Sequence, residues 1–258
     1  MRLRWAGLWR QSDFLKLWAG TTISFFGSHI RLLALPLTAV LVLHATAAQM
    51  GLLETAQYLP SLVLGLFVGV WVDRLPRRPL LIAADLGRAV LVASIPLTAA
   101  LGLLRIEQLY AVGFLVAALA VLADVAYRAY LPALVPREHL VEGNSKLVAS
   151  GAAARVAGPG LAGVLVQLLT APMAILFDAV SFLVSALFLS LIHASEPVPD
   201  VKGQQRSVWG EIAEGWRVVQ ATPLLWRTAW YASLFNFFGG IGTAGYVLYV
   251  TRQVGITP

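Results

Sequence analysis

Hydrophobic residues fill long stretches of this chain, at 14–43, 47–72, 79–103, 107–133, 143–168, 171–193 and 224–250. Each is at least as long as the roughly 20 apolar residues that carry a helix across a bilayer. About seven membrane-spanning helices are therefore predicted, several of them long enough to tilt. The polar breaks between them are short. The sharpest, Asp73-Arg74-Leu75-Pro76-Arg77-Arg78, joins the second stretch to the third and reads as a cytoplasmic hairpin.

Composition supports this all-α membrane reading. Of 258 residues, 59% are hydrophobic and 12% charged, and the mean hydropathy is +0.76, outside the range of soluble globular domains. The net charge of +6 is spread by loop and not gathered on one soluble face, which argues against a nucleic-acid partner. Arg2, Arg4, Arg10 and Lys16 precede or open the first span, and Arg74, Arg77 and Arg78 follow the second. Arg128, Arg137 and Lys146 flank the next such link, and Lys202, Arg206, Arg217 and Arg227 lie between spans six and seven; the alternate links hold only Arg105 and Arg252. The positive-inside rule then places the N-terminus in the cytoplasm and, with an odd number of spans, the C-terminus outside. The first span is too long for a cleaved leader and is expected to persist as a helix. With no cysteine, disulfides and thiolate sites are excluded.

Short outside links such as His44-Ala45-Thr46-Ala47-Ala48 force neighbouring spans into antiparallel hairpins. The one long connection, 194–222, becomes amphipathic after a Pro-containing start: Trp209, Ile212, Trp216 and Val219 share a helical face. It is expected either to lie on the cytoplasmic leaflet, in contact with membrane lipid, or to pack as a polar linker. Trp18, Phe25, Phe26 and Gly27 are echoed at constant offset by Trp230, Phe237, Phe238 and Gly239, as if a second parallel half began at the seventh span.

The run Gly69-Val70-Trp71-Val72-Asp73-Arg74-Leu75-Pro76-Arg77-Arg78 resembles the loop between helices two and three of major facilitator transporters, with Pro76 where that loop usually has glycine. The resemblance implies a six-helix half over 1–193, a cytoplasmic linker over 194–222, and over 223–258 the first helix of a second half whose remaining helices would be a necessary partner. Gly69 is expected to allow close helix approach, Asp73 to accept hydrogen bonds from the next helix start, and Arg74, Arg77 and Arg78 to hold the loop at headgroup level. Gly151, Gly158, Pro159, Gly160 and Gly163 resemble the antiporter motif of the fifth helix, a surface able to bend or rock; ordinary packing is the competing reading. The segments Tyr130-Leu131-Pro132-Ala133-Leu134-Val135-Pro136-Arg137-Glu138 through Asn144-Ser145, and Phe177-Asp178-Ala179-Val180-Ser181-Phe182-Leu183-Val184-Ser185-Ala186, resemble the drug:proton antiporter-3 branch, which contains macrolide-efflux-like and enterobactin-exporter-like proteins.

Ionisable groups at membrane depth are costly and face the protein interior or a water path. The candidates for proton coupling or substrate contact are Glu54, Asp85, Arg88, Asp124, Arg155 and Asp178, with Arg31 in the first span; His29, also at membrane depth in that span, is assigned to ordinary interhelical hydrogen bonding. Asp85 and Arg88 are three apart and Asp124 and Arg128 four apart, so each pair shares a helix face and can be a neutral structural pair. Glu54 and Asp178 have no basic neighbour at helical spacing in their own spans, which suits a carboxyl that takes up and releases a proton; an outer-water position for Glu54 and a helix-binding role for Asp178 are the alternatives. Arg31 and Arg155 can attract an anionic group or set a carboxylate's charge. Phe25, Phe26, Tyr127 and Tyr130 either line a cavity or pack.

No catalytic, metal or cofactor pattern is found: the four histidines are scattered and no glycine-rich phosphate loop occurs. The resemblance implies a multi-pass exporter of an amphipathic small molecule, driven by protons, in the plasma membrane of a bacterium. A truncated nontransporting remnant and a membrane receptor or assembly subunit that keeps the fold are the alternatives.

Overall fold

The computed structural model describes residues 8–194, 208–235 and 238. A single 3₁₀ turn (Leu8–Arg10) leads into α1 (Ser12–Leu41), followed by α2 (Ala47–Arg74), α3 (Arg77–Ala100), α4 (Ile106–Leu134), α5 (Leu140–Leu168) and α6 (Ala171–Ser190). Five of these, or α5 with the 3₁₀ turn before it, are apolar and long enough to cross a membrane: Ser12–Leu41, Arg77–Ala100, Ile106–Leu134, Arg137–Leu168 and Ala171–Ser190. At 28 residues, α2 is about 40 Å long and also reaches across a bilayer. The described residues contain no strand.

Local chemistry explains the boundaries. Thr46 caps α2: its hydroxyl accepts from the Gln49 N–H at 3.3 Å, while the Gln49 side chain accepts from the Thr46 N–H at 2.8 Å. Pro76 sits at the N-cap of α3 with an extended backbone (ψ 123°), so the helix starts at Arg77, two residues earlier than its apolar stretch suggests. A residue there needs no N–H for the helix ladder, which is why proline is tolerated in the loop. Thr170 accepts from the Met173 N–H at 3.4 Å and opens α6. Pro36, Pro60, Pro96, Pro132 and Pro159 lie inside continuous helices, as spanning helices permit.

In the unit that extends to Pro199, α1 packs on α6 and α5, α3 on α6 and α4, and α2 on α4. Close approach comes from small residues. A Cβ on Gly27 of α1 would overlap the Ser181 hydroxyl and lie 2.9 Å from the Asp178 Cα; one on Gly20 would lie 3.2 Å from the Ser185 Cα. On α5, a Cβ on Gly158 would lie 2.5 Å from the His29 Cβ, and one on Gly151 would lie 3.6 Å from the Phe25 ring. The buried apolar residues form two clusters, one containing Ala89, Val92 and Ile95 of α3 and the other containing Leu81 and Ala84. Asp85 and Arg88 mark the boundary between them. Outward positions such as Leu62, Val90, Val156 and Leu168 are apolar and exposed, as expected where the solvent is lipid.

Within the second unit, α7 (Val208–Ala221) precedes helical residues 223–235. Trp226 sits edge-on to Trp216 and to Trp230, with ring centroids 6.0 and 5.9 Å apart. The Trp209 and Ile212 side chains, the Pro-containing start of the linker, and Phe237, Gly239 and the later seventh span lie outside the described residues.

Candidate functional site

The site is built at the crossing of α1, α3 and α6. Asp178 is fully buried on α6, and its carboxylate accepts from Arg31 Nε of α1 at 2.7 Å; the Arg31 side chain is 12% exposed. The Ser28 hydroxyl donates to the same carboxylate at 3.3 Å. Ser181, one turn further on α6, donates to the Asp178 carbonyl at 2.8 Å and lies 3.4 Å from its carboxylate. On α3, Arg88 pairs with Asp85 and donates from Nε to the Ala84 carbonyl at 3.3 Å. The Arg88 guanidinium stacks 4.3 Å from the centroid of the Phe182 ring. Ser185 also hydrogen-bonds Asp85, and Arg88 feels the charges of both Asp178 and Arg31. The two carboxyls and two guanidiniums, whose formal charges cancel, therefore form one buried cluster.

Burial makes this balance necessary. An ion removed from water without a partner costs several kcal/mol, and close pairing with additional hydrogen bonds is what offsets the cost. The serines at 28, 181 and 185 occupy acceptor capacity that one guanidinium per carboxylate leaves over. Arg31, Asp85 and Arg88 line a cavity of about 300 Å³, with Thr21, Ser24, Phe25, Ser28, Asp124, Tyr127 and Ser185 among its other walls. The Arg31–Asp178 pair ties α1 to α6, and Arg88 over the Phe182 ring ties α3 to α6. Chemically, the cluster can hold a proton on a carboxyl and release an arginine toward the cavity.

The structure sorts the other sequence candidates. Asp178 is not a lone carboxyl: Arg31, 147 residues away in sequence, supplies the charge that its own span lacks. Asp124 and Arg128 do pair, at 3.0 Å, but their side chains are 59% and 77% exposed, so this pair is not sealed as Asp85 and Arg88 are. Glu54 lies half-buried in the second turn of α2, without an ion pair among the described residues. Arg155 is exposed on α5, away from the cluster.

Gly69 does not serve close packing: a Cβ there, as at Gly65, would meet nothing within 4 Å among the described residues. The α2 contact with α4 instead includes Leu53 and Gln57 against Gly113. Gly160 and Gly163 likewise face open space, whereas Gly151 and Gly158 touch α1, so the glycine motif divides between two faces. Pro159 is exposed beside Gly158.

In the loop motif, Arg74 closes α2 and Arg77 opens α3, while the Asp73 side chain lies outside the described residues. Arg78 reaches across to α6, donating from Nε to the Leu189 carbonyl at 2.9 Å and from Nη2 to the Ser190 carbonyl at 2.6 Å. Lys16 adds a 2.7 Å bond to the Leu191 carbonyl, and Asp13 accepts from the His193 and Ala194 N–H groups at 3.3 and 3.0 Å. The Arg78 and Lys16 bonds bring cations to the carbonyls of a helix end, the favourable sign at a C-terminus, while Asp13 takes the N–H groups that follow it. Sequence reasoning missed this clamp and the serines. The spacing of Gly20, Ser24 and Gly27, and of Asp178, Ser181 and Ser185, was the available signal, since each set lies on one helix face.

A bundle of spanning-length helices, apolar outside and sealed around a neutral charge cluster, defines a multi-pass membrane protein. The chain belongs to the Major Facilitator Superfamily, whose profile matches residues 17–257. It is similar to the uncharacterized MFS-type transporter YfiS of Bacillus subtilis (strain 168), with 26% identity over 254 residues, 96% of this chain and 59% of that protein. It is 40% identical over 102 residues to the uncharacterized MFS-type transporters Rv0037c of Mycobacterium tuberculosis and Mb0038c of Mycobacterium bovis, covering 39% of this chain and 23% of each relative. The chain thus spans about three fifths of the length of the Bacillus relative.

Proposed function

We propose that this chain forms the N-terminal part of a proton-driven exporter of amphipathic small molecules, of the drug:proton antiporter-3 type, in a bacterial plasma membrane. The observation that carries the reading is the buried Arg31–Asp178 pair, joined through Arg88 to Asp85 at the wall of a cavity. A proton entering down its gradient neutralises Asp178 or Asp85. The freed arginine then turns to the cavity, the α1–α6 contact loses its strongest polar bond, and the balance between inward-open and outward-open states shifts. Loss of the proton on the other side restores the pair. A second helical half completes the alternating-access unit.

The test uses the full-length protein in proteoliposomes with an amphipathic dye such as Hoechst 33342 and an imposed proton gradient. Gradient-dependent dye movement is expected for the native protein. Asp178→Asn and Asp85→Asn, each verified as folded by size-exclusion elution, should still bind the dye but lose the gradient response. An unchanged pH dependence in both variants would remove the cluster from coupling.

A further inference from the structure

The cavity beside the charge cluster has a polar wall that the ion pairs do not account for. Thr21, Ser24, Ser28 and Arg31 follow one another at steps of three or four on one face of α1, and all four line it. The stripe runs about 15 Å along the helix. Asp85 and Arg88 of α3, Asp124 of α4 and Ser185 of α6 complete the polar wall. Leu17, Leu81 and Leu189, buried near the ends of their helices, close the cavity toward the α2–α3 loop. Its wet end is Asp124, whose side chain is 59% exposed beside Arg128.

Water fills an internal space only where the space is roomy and polar groups hold it. Both conditions are met: about 300 Å³ takes on the order of ten waters at about 30 Å³ each, and the wall carries hydroxyls and charges. The Ser24 hydroxyl makes no hydrogen bond among the described residues, yet it is not sealed, because it opens on the cavity. A buried hydroxyl in that position is satisfied by water. Ser28 stands at the inner end, facing the cavity while its hydroxyl donates to the Asp178 carboxylate at 3.3 Å. A hydroxyl accepts as well as donates, so Ser28 can hand a proton on. Arg31, Asp85, Arg88 and Asp124 cancel in formal charge, so a proton in transit meets no net charge on the wall.

We propose that this cavity is a water-filled proton passage inside the bundle of α1, α3, α4 and α6, entered at Asp124 and ending at Asp85 directly and at Asp178 through Ser28. At the inner end a hydronium gives its proton to the Ser28 oxygen as the Ser28 O–H proton passes to the Asp178 carboxylate. Water remains, the serine is unchanged and Asp178 becomes neutral. Arg31, on the same wall, then turns into the water that delivered the proton. Thr21 and Ser24 hold the water file between Asp124 and Ser28. This deepens the exporter reading and rests on it for what the proton is used for. The passage itself needs neither substrate nor gradient, so the two fail separately.

The test follows the infrared carboxyl band of the full-length protein in nanodiscs after a rapid acid jump, with no substrate and no gradient. The part of the band missing in Asp178→Asn reports Asp178, and the part missing in Asp85→Asn reports Asp85. Ser28→Ala should slow the rise of the Asp178 band about tenfold or more, the effect of one lost hydrogen-bonded link, and Ser28→Thr should restore the native rate. A serine that only braces the helices would move the pH at which the band appears and not its rate. In a full-length protein otherwise free of cysteine, Ser24→Cys should react with the small hydrophilic reagent MTSEA. Ala34→Cys, buried in apolar packing on the same helix, should not. A native rate in Ser28→Ala overturns the proposal, as does a Ser24→Cys that reacts no faster than Ala34→Cys. So does an acid jump that raises no band from either carboxyl.

Discussion

The two charged regions of this bundle sit at comparable depths on α1, yet they are built on opposite principles. Arg31 faces α6 and meets Asp178, with Asp85, Arg88 and the hydroxyls of Ser28 and Ser181 closing the arrangement. His29, two residues away, faces α5 and meets Gly158, one turn after Arg155, which makes no ion pair among the described residues. A helix places residues two apart in different directions, so one short stretch serves both regions. Where charges balance, the fold can bury them and tie three helices together. Where a charge has no counter-ion among the described residues, as at Arg155, it ties no helices together there. The tied and untied faces are separated by about half a turn of α1.

This contrast makes graded predictions for the stability of the full-length protein, read as the thermal transition in detergent. The largest change is expected for Asp178→Ala, which strands Arg31 in the interior and should cost about 3–5 kcal/mol. Replacing both partners, as in Arg31→Met with Asp178→Leu, should restore much of the transition and leave no response to a proton gradient. A double variant no more stable than Asp178→Ala would mean that the serines and Arg88, not the pair, dominate.

Gly27→Ala comes next, at about 1–3 kcal/mol, because its Cβ would meet Ser181 and force α1 from α6. Its control is Gly69→Ala, which should gain about 0.5–1 kcal/mol from helix propensity alone; equal losses at both positions would deny that α1 and α6 are in tighter contact. Breaking the exposed Asp124–Arg128 pair by Asp124→Asn should cost only about 0.2–1 kcal/mol. Arg155→Gln is expected within about 0.5 kcal/mol of the native protein, like other exposed substitutions.

Much of the fold was legible in the order of residues. The first six helix stretches were placed within a few residues, because length and apolar content are what a bilayer selects. Asp85–Arg88 and Asp124–Arg128 were legible as pairs, because helical spacing alone brings them together. Their difference was not. The first is sealed between α3 and α6 and the second is open, although the local pattern is nearly the same.

The Arg31–Asp178 pair shows the same limit more sharply, since its partners lie 147 residues apart in the sequence. The glycines repeat the lesson. Gly27 and Gly158 touch neighbouring helices while Gly69 and Gly163 meet nothing among the described residues, and nothing in their local sequence tells these apart. Composition and helical period are properties of single segments, and they suffice to mark the apolar spans. Which carboxylate meets which arginine depends on the relative rotation of helices about their axes. Packing sets that rotation by summing many weak contacts between distant segments, so it emerges only when the helices are assembled.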